Sequence, residues 1–207
     1  YRRARRIVAE ASEARLAVSR LDGVPRGLLR VTLASGLLLQ PMLSRYLAAC
    51  PEVELEVFST TRHVDLVAEG FDVAVRAGPH NDPSLVARVL WSDPRTVYAS
   101  PSYLAAHGTP QTPEDLSGHS CIRGFDRGIT PQRGWPLRDG GSVRISGRFT
   151  TNDLELAISE AVQGRGLILL PDRIGQALPL VPVLQEQVGD QTTLSVSYPS
   201  RRLLDPK

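Results

Sequence analysis

From Tyr1 to Leu21 the chain contains no Gly or Pro and is built mainly from Ala, Arg, Glu and Leu, residues of high helix propensity. Ala4, Ile7, Ala11, Ala14, Val18 and Leu21 follow one another in steps of three and four. That is an a/d seam with a period of about 3.5 residues. An isolated helix of this length is marginal in water, and the stripe is narrower than that of a helix lying on its own domain. The pattern therefore predicts a helix that pairs with a second copy; packing on its own domain is the alternative. Asp22-Gly23-Val24-Pro25 ends it. Arg2, Arg3, Arg5 and Arg6 read as a solvated face of that helix.

Beyond Gly27 the period changes. Leu28 to Leu33 and Val53 to Phe58 read as strands, as do Asp72 to Arg76, Val97 to Ser100, Ser142 to Phe149, Leu167 to Leu170 and Thr193 to Tyr198. Leu37 to Ala49, His63 to Glu69 and Asp153 to Gln163 read as helices. Pro101 to Leu104 begins a turn or short helix, and His107 to Gly141, rich in Pro, Gly and Ser, is mostly loop. Strands alternating with helices predict an α/β fold with a parallel or mixed sheet.

Composition narrows this little. The 207 residues are 42% hydrophobic with a formal charge of +2, enough apolar material for a core and too little charge for nucleic-acid binding by bulk electrostatics. Cys50 and Cys121 stand far apart and read as two reduced thiols. No apolar run reaches membrane-spanning length. Glu10, Glu13 and Arg15 interrupt what would be the apolar part of a signal peptide, so a reducing cytoplasm is the expected location. His63, His80, His107 and His119 lack metal-ligand spacing. No phosphate loop, dinucleotide fingerprint or nucleophile elbow occurs. No metal, no cofactor and no catalytic set is expected.

An ordered series of motifs then carries a resemblance. Pro25-Arg26-Gly27-Leu28-Leu29-Arg30-Val31 opens it, and Val64-Asp65-Leu66-Val67-Ala68-Glu69-Gly70-Phe71-Asp72-Val73-Ala74-Val75-Arg76 is its most distinctive stretch. Ser84 to Arg88, Ala99 to Leu104, Thr112 to Leu116, Asn152-Asp153, Gly166 to Pro171 and Tyr198 to Arg202 follow in order. The series resembles the effector-binding domain of LysR-type transcriptional regulators and covers essentially the whole chain.

The resemblance implies a two-lobed fold like that of type II periplasmic binding proteins, preceded by a long linker helix. Residues 1–24 would be the dimerisation helix, 27–98 with 199–207 the first lobe, and 99–198 the second. It implies a small-molecule effector in the interlobe cleft, a homodimer or homotetramer, and DNA contact only through a winged helix-turn-helix head preceding residue 1. No such head occurs in this sequence. The junction at Ala34-Ser35-Gly36 and the link from Ala177 to Leu180 are shorter than is common in the family. The chain ends at Lys207, where relatives continue into a final helix.

In open α/β folds ligands sit beyond the carboxyl ends of strands, which singles out four places. Ser35 and Gly36 open the helix after the first strand, where N–H groups and the helix dipole favour an anion; Ser35 could equally be a helix cap. Thr60 follows the second strand, with Thr61 read as a cap. Asn152 precedes a helix carrying Glu155 three residues on, a capping-box-like arrangement. Tyr98 and Ala99 could floor the cleft, and Phe125 could wall it; Trp135 and Phe125 are otherwise core residues. Arg76 and Arg88 read as surface or bracing charges. The expected effector is a small anion. A transporter's solute-binding protein and an enzyme on the same fold are the rival readings.

Overall fold

The computed structural model describes residues 24–37, 39–78, 82–126 and 129–199. The expected helix from Tyr1 to Leu21 lies outside them. Two compact units emerge among the described residues. Unit 1 comprises residues up to Arg76, then those to Arg88, then those from Ser195; unit 2 comprises Ala77, Gly78 and Val89–Leu194. The division falls within two long strands, between Arg88 and Val89 and between Leu194 and Ser195. The family resemblance implies a division after Tyr98 and Tyr198.

Unit 1 is built on three parallel strands in the order β2-β1-β3: β1 (Arg26–Leu33), β2 (Glu52–Ser59) and β3 (Val73–Ala77). Leu33 pairs with Ser59 on one side and Val75 on the other, so β1 and β2 end level while β3 runs two residues further, to Ala77. Parallel pairing requires crossovers. These are α1 (Gln40–Ala49) and α2 (Leu66–Glu69). The stretch from Val64 to Arg76 has a plain structural meaning. Val64, Leu66, Phe71 and Ala74 form a buried cluster with Leu85 packed against it. Asp65 caps α2 by accepting a hydrogen bond from the Ala68 N–H, and Gly70 closes it at a φ of 72°, a left-handed conformation suited to glycine. The Arg30 guanidinium donates to the Gly70 and Glu69 carbonyls and to Glu56, and lies over the Phe71 ring.

Unit 2 contains most of β4 (Leu85–Ala99), with β9 (Ile168–Pro171) and β10 (Val181–Val183) pairing antiparallel to its C-terminal part. Between these strands come α3 (Pro101–His107), a 3₁₀ turn (Pro113–Gly118), the hairpin β5 (Phe125–Asp126) with β6 (Thr130–Pro131), the hairpin β7 (Gly134–Pro136) with β8 (Ser142–Arg144), and α4 (Leu154–Val162). A short α5 (Asp172–Gly175) follows β9, and β11 (Gln191–Pro199) ends the described chain. Val97, Leu116, Cys121, Leu167 and Val188 have no exposed surface, and Trp135 is 1% exposed. They form one core.

The strand expected from Ser142 to Phe149 stops at Arg144. Gly147 then passes so close to the Cys121 carbonyl that a Cβ there would lie 1.9 Å from it. The Cys121–Arg123 segment instead makes isolated bridges to Leu167 and Thr150.

Candidate functional site

The level ends of β1 and β2 bring two hydroxyls to one edge of unit 1. The Thr60 N–H donates to the Leu33 carbonyl at 2.8 Å, holding residue 60 beside the end of β1. Thr60 Oγ1 accepts from the Arg62 N–H, and Ser35 Oγ from the Leu37 N–H, both at 3.3 Å. Each hydroxyl thus folds its own turn by accepting. Each keeps a proton to donate, since a hydroxyl is one donor and two acceptor sites.

The helix start here differs from expectation. Helix α1 begins at Gln40, with Leu39 at the cap position and no side-chain cap. Ser35 therefore is not its cap. The Gly36 carbonyl accepts from both the Leu39 and Gln40 N–H groups, Pro41 has no N–H, and the Leu37 N–H is spent on Ser35. Few backbone donors remain for an anion at this helix start. The Gly36 Cα faces open space.

Arg62 grips Glu69 through both nitrogens, Nη1 to Oε1 at 2.8 Å and Nη2 to Oε2, which holds the Glu69 carboxyl below the usual range. Arg76, at the end of β3, donates from Nη2 to Thr32 Oγ1 at 2.8 Å and from Nη1 to the Val75 carbonyl at 3.0 Å. Burial first, then the positive charge of Arg62, holds its pKa below the usual value.

In unit 2, Asp153 and not Asn152 caps α4, accepting from the Leu156 N–H at 3.0 Å. Asn152 is exposed just ahead of it. Phe125 is half-buried in its hairpin opposite Pro131. Tyr98 and Ala99 are 1% and 0% exposed. The Tyr98 hydroxyl donates to Asp172 at 3.0 Å, and its ring fills the space where a Cβ on Gly175 would stand. Both residues are buried in the packing of unit 2. The Nε of Arg123 is buried without a hydrogen-bond partner, while its backbone N–H donates to the Phe149 carbonyl and its carbonyl accepts from the Thr151 N–H.

A shallow groove of about 440 Å³ crosses His107, Glu114, Asp115 and His119. Here the Tyr103 hydroxyl accepts from the Ser120 N–H at 2.9 Å and lies 3.2 Å from His119 Nδ1. The described residues contain no cluster of three His, Cys, Asp or Glu able to hold a metal, and no helix long and apolar enough to cross a membrane.

Comparison with known proteins places this architecture. The LysR substrate binding domain family matches residues 22–207. The HTH-type transcriptional regulator CrgA of Neisseria meningitidis is 34% identical over 202 residues, spanning 93% of this chain and 67% of CrgA. The uncharacterised HTH-type regulator YhjC of Escherichia coli is 32% identical over 222 residues, spanning 99% of this chain and 72% of YhjC. The solved structure of CrgA superimposes with a TM-score of 0.77 at 32% identity, covering 99% of this chain and 72% of that one. Its regulatory domain alone gives 0.75 over 88% and 93% of the two chains. The virulence activator AphB of Vibrio cholerae gives 0.72 at 26% identity, over 93% and 70%. The fold is therefore the two-lobed α/β fold of LysR regulatory domains, and the chain belongs to the LysR substrate-binding domain family of LysR-type transcriptional regulators.

Proposed function

We propose that this chain senses a small anionic effector at the carboxyl-terminal edge of unit 1 and passes its occupancy to a DNA-binding head of the same regulator. The observation that supports the reading is that the turns after β1 and β2 each carry a hydroxyl with a proton left to donate, Ser35 and Thr60, with residue 60 tied to the end of β1 by the Thr60–Leu33 hydrogen bond. Gly36 leaves room next to them. In unit 2, Asn152 and Phe125 are separate candidates for effector contact. The chain has no turnover of its own, because no nucleophile, base and orienter converge among the described residues. It works in the cytoplasm, where the regulator meets DNA. An effector shifts the regulator only as far as it binds one conformation better than another.

The test is a thermal-shift screen of small organic acids, followed by calorimetric titration of the best one against Ser35→Ala, Thr60→Val and Asn152→Ala. Each lost hydrogen bond should weaken binding by about 0.5–1.5 kcal/mol, more for a charged acceptor. Wild-type affinity in Ser35→Ala and Thr60→Val would place the effector elsewhere.

We further propose that the chain self-associates through unit 1. Helix α1 has no buried residue, yet Met42 and Leu47 are 47% and 41% exposed. Strand β2 lies at the end of the strand order with Val57 uncovered, and an open sheet edge with apolar side chains invites a partner.

A further inference from the structure

We propose that Arg76 is the receptor for a carboxylate on the effector, making this regulator's ligand a small organic acid. The inference rests on the reading that the effector binds at the hydroxyl edge of unit 1.

The sheet register puts Arg76 at that edge. Leu33 pairs with Val75 and with Ser59, so Arg76, still within β3, is level with Ala34 and Thr60, the residues that follow β1 and β2. Side chains alternate between faces along a strand. Thr32, aligned with Phe58 and Ala74, shares its face with Ala34, Thr60 and Arg76. The 2.8 Å bond from Arg76 to Thr32 Oγ1 agrees with this.

Arg76 stands apart from its neighbours in how it is neutralised. Arg30 is paired with Glu56, and Arg62 with Glu69. Arg76 is half-buried, and its bonds go only to a hydroxyl and a carbonyl. No carboxylate pairs with it among the described residues, and the nearest charge acting on it is the like charge of Arg62. A partly desolvated guanidinium without a counter-charge is costly. It is also a planar fork suited to a carboxylate, with five donors of which two directions are used here. The helix start at Gly36 has few N–H groups left for an anion, since those of Leu37, Leu39 and Gln40 are turned into Ser35 and the Gly36 carbonyl. With Thr60 on the same face, a carboxylate at Arg76 would have the guanidinium fork and one neighbouring hydroxyl to meet.

The experiment measures melting temperature and binding of acetate, succinate and benzoate at matched ionic strength, with benzamide as the neutral control. It compares the wild-type chain, Arg76→Gln, Arg76→Lys and the double variant Ser35→Ala/Thr60→Val. At least one carboxylate should stabilise the wild type saturably while benzamide does not. Arg76→Gln should bind it about 10- to 100-fold more weakly, the loss of one charged hydrogen-bonded pair, with Arg76→Lys between. Without ligand, Arg76→Gln should melt no lower than the wild type. A wild type indifferent to all three acids overturns the inference, as does a strongly destabilised Arg76→Gln, which would make Arg76 a brace. If the hydroxyl double variant loses binding and Arg76→Gln keeps it, the site stands and Arg76 is excluded. If only Arg76→Gln loses binding, the carboxylate receptor stands and the hydroxyl edge is wrong. If neither loses it, both fall.

Discussion

Arg95 and Asp190 are joined by two parallel hydrogen bonds, Nε to Oδ1 and Nη2 to Oδ2, each 2.6 Å long. Their backbones are joined as well, the Arg95 N–H donating to the Asp190 carbonyl at 2.7 Å. The double contact fixes the entry to β11 against β4. It works only because residue 189 is glycine. Its φ is +138°, and a Cβ there would stand 2.0 Å from the Arg95 carbonyl oxygen.

Gly189→Ala should therefore cost about 3 kcal/mol, from backbone strain and forced separation together. Asp190→Asn keeps the shape and loses the charged fork, and should cost about 1 kcal/mol because the pair is partly solvated. Urea midpoints rank the two; equal midpoints would mean that Gly189 is not held against Arg95.

Stability should fall in acid through His119. The Tyr103 hydroxyl accepts the Ser120 N–H and lies within hydrogen-bond distance of His119 Nδ1, to which it can donate only while that nitrogen carries no proton. Burial first, then the positive charge of His107, lowers the His119 pKa from 6.5. The unfolded chain thus binds the proton more readily. This contribution is complete above the unfolded value and is lost as pH drops below it. His119→Gln, which can still accept from Tyr103, should lose less stability than the wild type between about pH 7.5 and about pH 5. Parallel pH curves would remove His119 from the account.

The two thiols should behave differently. Cys121 has no exposed surface, and burial pushes its pKa up to about 12, while Cys50 is half-buried at the end of α1. A thiol reagent at neutral pH should label Cys50 in the native protein and reach Cys121 only after unfolding, because the thiolate is the reactive form. Mass spectrometry of the labelled peptides reads this directly. Rapid native labelling at Cys121 would contradict the packing around Gly147.

Met42→Glu combined with Val57→Lys should lower the sedimentation coefficient if α1 and β2 form the contact between copies. Truncation to Pro25 is the partner experiment, since it removes the Ala4–Leu21 seam. An unchanged coefficient in the surface variant together with dissociation of the truncated chain would assign the contact to the first residues.

Much of unit 1 was legible because its strands obey simple patterns. Leu28 to Leu33 and Val53 to Phe58 differ from β1 and β2 only at the ends. The expected helix from Leu37 begins at Gln40 instead, since Gly36 and Ser35 organise a separate turn first. Strand β4 was read only from Val97. Its earlier part carries Asp93-Pro94, and Pro within a run argues against a strand. The fold accepts it because Asp93 takes the Arg173 N–H at 2.9 Å and Arg173 stacks on Trp91, contacts invisible in a linear pattern. Ser35 and Thr60 could be placed at strand ends by sequence. That no carboxylate among the described residues pairs with Arg76 could not be read there, because it depends on three strands coming into register. The burial of Tyr98 and Ala99 was not legible for the same kind of reason: a strand residue looks alike in sequence whether it is exposed or packed against the Gly175 backbone.

Unit 1 is discontinuous: it includes residues up to Arg88 and then those from Ser195, while unit 2 is nearly one uninterrupted stretch, Val89–Leu194. A ribosome releases the chain in order. Unit 2 has its full complement of residues before the last strand segment of unit 1 has been made, where Ser197 bonds to the Ala74 carbonyl. Closing unit 1 means joining segments separated by the whole of unit 2, a slow, long-range step. The part carrying Ser35, Thr60 and Arg76 should thus be the last to mature during synthesis, and a nascent regulator should acquire its effector response only as its C-terminal strand is delivered.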